Sequence, residues 1–149
     1  MKIIENNGTV REPVSKEEEL HVIRHSAAHV MAQAIKRLYP DAHFAYGPAT
    51  EKGFYYDVDL GSVKLADGDL GKIEAEMKKI VKENLPIKPF ILPREKAVKL
   101  MQERGEIYKV EHIADLPESE PISFYQQGEY IDMCVGPHVM YTKAVKAFK

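Results

Sequence analysis

The chain has 149 residues, 44% of them hydrophobic, with 21 basic and 23 acidic side chains, a formal net charge of −2 and one cysteine. That is enough apolar material for one ordinary globular domain with a buried core. A lone cysteine excludes an internal disulfide, there is no N-terminal signal-type segment, and no apolar run nears the roughly 18 residues that span a bilayer, so the sequence reads as cytoplasmic and soluble. The near-neutral charge excludes the broad basic field of an independent nucleic-acid binder, so any such substrate has to be held locally or by something outside this chain.

In chain order, residues 1–14 are polar, with a turn signal at Asn6-Asn7-Gly8 and a stop at Pro13, and read as an N-terminal tail or short hairpin without chemistry of its own. Ser15 is a good N-cap, acids fill the next turn, and apolar residues recur at helical spacing from Leu20 to Leu38, which predicts a helix over 16–38. The aromatic-rich stretch 42–60, broken at Gly47-Pro48 and Lys52-Gly53, predicts two strands joined by a loop. A second helix is expected over 69–84, with Leu70, Ile73, Met77, Ile80 and Val81 on one face and Glu74 paired with Lys78. Pro86, Pro89 and Pro93 bracket an edge-like segment at 87–92. A third helix is expected over 94–104, closed by Gly105, and then strands at 106–112, 122–126, 129–134 and 144–148. This order is that of an α+β domain with an antiparallel sheet packed on a long N-terminal helix.

Two motifs carry the chemistry. His25 and His29 lie four apart on a helix and can aim both rings at one point. His21 extends the spacing by one more turn and fits a solvated neighbour equally well. Near the other end, Cys134-Val135-Gly136-Pro137-His138 puts a Gly-Pro turn straight after a strand, which returns His138 towards Cys134. Three imidazoles and one thiolate are a tetrahedral zinc-type set, and a complete set leaves no open position, so such a metal would be structural. The alternative needs no metal: a histidine takes a proton from water at neutral pH, and a nearby lysine stabilises the oxyanion formed at an ester carbonyl. A buried, inert Cys134 and core-packed histidines fit the same residues. Spacing alone leaves these readings open.

Several further motifs stand in a telling order. Arg24-His25-Ser26-Ala27-Ala28-His29, Tyr46-Gly47-Pro48, Gly53-Phe54-Tyr55-Tyr56-Asp57, Tyr108-Lys109-Val110 and Tyr130-Ile131-Asp132-Met133-Cys134-Val135-Gly136-Pro137-His138 follow one another as in the editing, or second additional, domain of threonyl-tRNA synthetases. The alanyl-tRNA synthetase editing domain is a more distant relative. The resemblance runs over roughly residues 18–149, and the Gly-Phe-Tyr-Tyr-Asp and Tyr-Lys-Val elements point to the threonyl branch.

The resemblance implies a two-layer α+β domain over 15–149 that removes serine wrongly attached to tRNA(Thr). A pocket built for threonine loses only a methyl contact with serine, worth roughly 1–3 kcal/mol, so a second hydrolytic sieve is needed. Carried over by motif, His25 and His29 hold the catalytic water and terminal ribose, with His25 as base. Lys109 polarises the ester or holds the water, and Asp132 takes the seryl ammonium or hydroxyl. Cys134 and His138 complete the wall, and Tyr56 shapes the pocket or contacts the terminal adenosine. No cofactor is required in the threonyl branch, while the zinc of the alanyl branch would fall on His25, His29, Cys134 and His138. The implied partners are the tRNA(Thr) 3′ acceptor end carrying serine and the remainder of a synthetase in cis or trans, with no membrane.

The expected protein is an aminoacyl-tRNA deacylase that cannot aminoacylate, because the ATP-binding catalytic domain has no counterpart here. An excised fragment and a free-standing editor both fit that pattern. The other class of function is a non-catalytic tRNA-acceptor or zinc-binding structural module. Lys78, Lys79 and Lys82 with Lys143, Lys146 and Lys149 would serve as phosphate contacts or as ordinary wet surface.

Overall fold

The fold was read from a computed structural model that describes residues 2–40, 43–44, 49–50, 53–54, 58–59, 67–115, 122–134 and 136–145. Strands β1 (Ile3–Ile4) and β2 (Val10–Arg11) form an antiparallel hairpin, closed where Gly8 at φ 89° donates its amide to Glu5 O and Asn7 Oδ1 accepts from Thr9 N. Helix α1 (Lys16–Leu38) starts at Ser15, whose hydroxyl accepts from Glu18 N at 3.1 Å. This is the Ser-x-x-Glu capping pattern, although the Glu18 carboxylate reaches back to Val14 N and to Arg11 of the hairpin.

The 42–60 stretch contains more, shorter strands than its sequence suggests. β3 (His43–Phe44) pairs with β6 (Val58–Asp59), and nested within that ladder β4 (Ala49–Thr50) pairs with β5 (Gly53–Phe54), all antiparallel. Helix α2 (Asp67–Glu83) opens two residues earlier than expected and is closed by Asn84, which takes a left-handed φ of 50°. Ile73, Met77 and Ile80 face the core and Lys78 lies 3.7 Å from Glu74, but Leu70 is exposed, one turn outside the buried stripe.

β7 (Ile87–Leu92) is an edge strand, as its prolines suggest, and α3 (Arg94–Glu103) ends at Gly105 with φ 70°. The strand expected at 106–112 is instead helix α4 (Ile107–Ala114). Ile107, Tyr108 and Val110 carry a strand-like local preference, yet the buried positions are Glu106, Lys109 and Ile113, spaced three and four apart. Gly105 reverses the chain so that Val110 N can bond Glu106 O, and packing on α3 overrides the local preference.

Strands β8 (Ile122–Gln127) and β9 (Tyr130–Met133) complete an antiparallel sheet of order β7-β8-β9. Buried on both faces, β8 sends Tyr125 into the core beneath α1 and α2, and Ile122 and Phe124 into a second core with Ala97, Met101 and Ile113. β10 (His138–Val139) pairs with β1, with His138 opposite Ile4. The strand expected at 144–148 begins as a 3-10 turn, Thr142–Ala144, and residues 146–149 lie outside the described residues. Buried Thr142 accounts for it: its hydroxyl donates to Ile80 O and accepts from Leu85 N, tying the chain to the end of α2.

The described elements are therefore α+β with antiparallel pairing throughout, and among them no helix is long and apolar enough to cross a membrane. Arg37 on α1 contacts Glu76 and Glu83 on α2 and Glu129 in the β8–β9 turn. The hydrogen bond from Arg37 holds the Glu129 carboxyl down to about 2. A depressed folded-state pKa contributes stability above the ordinary carboxyl value of 4.5, and that stability is lost as pH falls towards 2. Because Glu129 is about half exposed, screening limits the contribution to under about 1 kcal/mol. Urea unfolding at pH 6 and pH 3 should show the wild type losing more stability than Glu129→Gln over this interval.

Candidate functional site

The inner face of α1 carries His25, Ser26 and His29, opposite the segment that leaves β9. Cys134 is held in line with the sheet by Cys134 N to Ser123 O at 3.0 Å and by Ser123 Oγ donating to Cys134 O at 2.6 Å. Gly136, at φ 67° before a cis Gly136–Pro137 bond, turns the chain back so that β10 delivers His138. A side chain at Gly136 has no room, since a Cβ there would lie 2.0 Å from Tyr125 Oη, which itself donates to Ile4 O.

The two sequence motifs meet. His138 Nε2 and His25 Nε2 each lie 3.2 Å from Cys134 Sγ, and Gly136 N donates to the same sulphur at 3.3 Å. The His138 ring centroid is 4.2 Å from that of His25 and 4.1 Å from that of His29. One donor atom from each of His25, His29, Cys134 and His138 lies within 4.8 Å of the others. His29 and His138 are buried, whereas His25 and Cys134 are half-buried and form the accessible side.

Behind this cluster stands a buried charge pair. Lys109 Nζ, from α4, is 3.1 Å from Asp132 Oδ1, and His29 Nε2 is 3.4 Å from Asp132 Oδ2. Asp132 is 2% exposed, so the β9 alternation that turns it away from Ile131 and Met133 turns it into the interior. Burial lowers all three imidazoles: His29 to about 4, with Asp132 opposing and His25 and Lys109 adding to the effect; His138 well below its usual value; and His25 downwards against a bond to the Pro137 carbonyl. They are therefore neutral at neutral pH. The counter-charge of Asp132 is Lys109, and neutral His29 stands 3.4 Å from its other oxygen without adding charge.

His21 is exposed with its ring 6.3 Å from His25, outside the four-donor set. Tyr56 lies outside the described residues, as do Lys146 and Lys149. Lys78 and Lys79 are solvent-facing and paired with Glu74 and Glu76. Sequence reasoning missed Ser26 as a contact of His138 and Tyr125 as the support beneath the Gly-Pro turn. A serine set between two histidines on the inward helix face was the available signal for the first. A separate cleft of about 270 Å³ is walled by Lys36, Arg37, Arg104, Glu106 and Tyr130, and none of the four donor residues lines it.

Residues 122–149 match the family described as threonyl and alanyl tRNA synthetase second additional domain. The chain is 61% identical over 132 residues to a threonine–tRNA ligase of Clostridioides difficile, covering 89% of this chain and 20% of that protein. It is 59% identical over 126 residues to one of Acetivibrio thermocellus, covering 85% and 20%, and 50% identical over 150 residues to one of Clostridium novyi, covering 100% and 23%. The chain belongs to the threonyl-tRNA synthetase second-additional-domain family. It spans about a fifth of the length of these relatives.

For a member of this family the metal question turns on the donor set. Tetrahedral zinc with ordinary Zn–N and Zn–S bonds separates its ligand atoms by about 3.3–3.8 Å, close to the 3.2 Å sulphur–nitrogen contacts here. His29 Nδ1 is buried without a hydrogen-bond partner among the described residues, and a metal or a water would satisfy it. The residues therefore fit a soft divalent cation. The turn that assembles them is tight: Gly136→Ala should cost at least about 2 kcal/mol by combining positive φ with overpacking. Adding Tyr125→Phe should recover part of that loss in a double-mutant cycle followed by urea unfolding.

Proposed function

We propose that this domain hydrolyses the aminoacyl ester of Ser-tRNA(Thr), as the post-transfer editing unit of a threonyl-tRNA synthetase. The observation that carries the reading is the convergence of neutral His25, His29 and His138 on Cys134, backed by the buried Lys109–Asp132 pair. Neutral imidazoles accept protons, and a half-buried His25 is the one that a bound ester and its water can reach.

In this mechanism a water lies between His25 and His29. Its oxygen attacks the ester carbonyl carbon while His25 takes its proton. Lys109, close behind, stabilises the negative charge that develops on the carbonyl oxygen. Collapse of the tetrahedral intermediate breaks the carbon–oxygen bond to the terminal ribose, and His25 returns the proton to that hydroxyl. Asp132 receives the seryl ammonium or hydroxyl on a carboxylate already shared by Lys109 and His29. Cys134 and His138 form the wall, and Tyr56 shapes the pocket or meets the terminal adenosine. Exclusion of the threonyl methyl makes the site a second sieve. The tRNA acceptor end is gripped with help from the rest of a synthetase, since the chain's formal net charge of −2 supplies no broad basic field.

The four-donor set supports a second reading, a zinc-bearing structural module that docks the tRNA acceptor without cleaving it. His25, His29, Cys134 and His138 would hold the ion. When bound, it would brace the site and, with one ligand displaced, supply Lewis acidity.

Deacylation assays separate the readings. Hydrolysis of Ser-tRNA(Thr) should be accelerated far more than that of Thr-tRNA(Thr), and equal rates, or none, would defeat the editing proposal. His25→Ala and Lys109→Ala should each slow the seryl reaction by at least roughly tenfold. Lys109→Ala also strands a buried carboxylate at about 3–5 kcal/mol, so His25→Ala is the cleaner comparison. Elemental analysis should find no stoichiometric zinc after dialysis, and its retention would favour the structural module.

A further inference from the structure

We infer that Ser26 is a positioning residue that sets the order of protons in the site, donating its hydroxyl proton to His138 Nδ1 so that His138 presents a protonated Nε2 to Cys134. Ser26 is fully buried in the middle of α1, between the two helical histidines. Its hydroxyl oxygen lies 2.9 Å from His138 Nδ1, a residue 112 positions away, and accepts from Val139 N at 3.0 Å. Among the described residues these are its two partners.

The assignment follows from counting donors and acceptors. Val139 N–H can only donate, so Ser26 Oγ is the acceptor in that bond. The hydroxyl still has one proton to place, and a buried O–H left unpaired is costly. The lone pair within reach is His138 Nδ1. An imidazole whose Nδ1 accepts a hydrogen bond keeps its single N–H on Nε2, and His138 Nδ1 is the atom that faces the Ser26 hydroxyl. Its proton is therefore on Nε2, 3.2 Å from Cys134 Sγ. The sulphur then accepts from His138 and from Gly136 N, and its own proton, when present, has His25 Nε2 as acceptor at 3.2 Å. One hydroxyl on α1 thus fixes the direction of the His138 contact at the sulphur, as the outer partner of a histidine commonly fixes its tautomer.

The test is read on the free protein. In the chelator-treated full chain labelled with 15N-histidine, long-range proton–nitrogen spectra should show His138 Nδ1 as the unprotonated nitrogen and Nε2 as the protonated one. A protonated Nδ1 in this wild-type spectrum would overturn the inference without any variant. Ser26→Ala should shift His138 towards the other tautomer or a mixture, and Ser26→Thr, which keeps the hydroxyl, should restore the wild-type signals. Unchanged His138 signals in Ser26→Ala would also overturn it. The consequence for rate rests on the ester-hydrolase reading: kcat on Ser-tRNA(Thr) should fall roughly tenfold in Ser26→Ala with little change in KM. A chain with the expected tautomer and no deacylation would uphold the role of Ser26 and sink the hydrolase reading alone.

Discussion

A carboxylate with 2% of its surface exposed governs the arrangement of this domain. Asp132 can be ionised in the interior only if its charge is matched and its oxygens are bonded. Lys109 reaches it from α4 and His29 from α1, one to each oxygen. Three elements that share no sequence neighbourhood are therefore oriented by one group on β9. A lysine supplied by a strand, as the local preference of residues 106–112 suggests, would follow a different path to that carboxylate. The helical form of α4, set by Gly105 and by packing on α3, brings Lys109 to the interior beside Ile113.

With Lys109 and Asp132 matched to each other, the histidines have no need to carry charge. Burial keeps His25, His29 and His138 neutral, which allows the His138 ring to lie about 4 Å from both of the others without repulsion. That neutrality is shared by two chemistries, proton acceptance from water and ligation of a soft cation. The half-buried His25 and Cys134 give the site its open side. The compact Gly136–Pro137 reversal is tolerated because Tyr125 stands directly beneath it, anchored to the N-terminal hairpin through Ile4. The hairpin, which reads as chemically silent in the sequence, thus braces the wall of the site through β1 and β10.

Helices with strong caps were legible from the residues. Ser15 with Glu18 sets the start of α1, Gly105 ends α3, and the apolar spacing of α2 identifies its buried face apart from Leu70. The pairing of two histidines with a cysteine and a third histidine was legible too, since HxxxH has one geometry on a helix and a Gly-Pro turn after a strand has few. Less legible were segments whose local preference competes with packing. Ile107-Tyr108-Lys109-Val110 favours extended backbone in isolation but is helical in the fold, and Thr142–Ala144 is held as a 3-10 turn by the hydroxyl of Thr142 at the end of α2.

By itself the sequence determined the family, the four side chains that converge and the periodicities that put them on inward faces, because motif order and helical or strand spacing are local properties. Only the tertiary structure decided which of those side chains are buried, which are neutral and what each one touches. Ser26 shows the difference most directly: its place between His25 and His29 is written in six consecutive residues, but its partner is 112 positions away. Desolvation and hydrogen-bond partnership belong to the packed arrangement of α1 against β9 and β10, and no spacing along the chain encodes them.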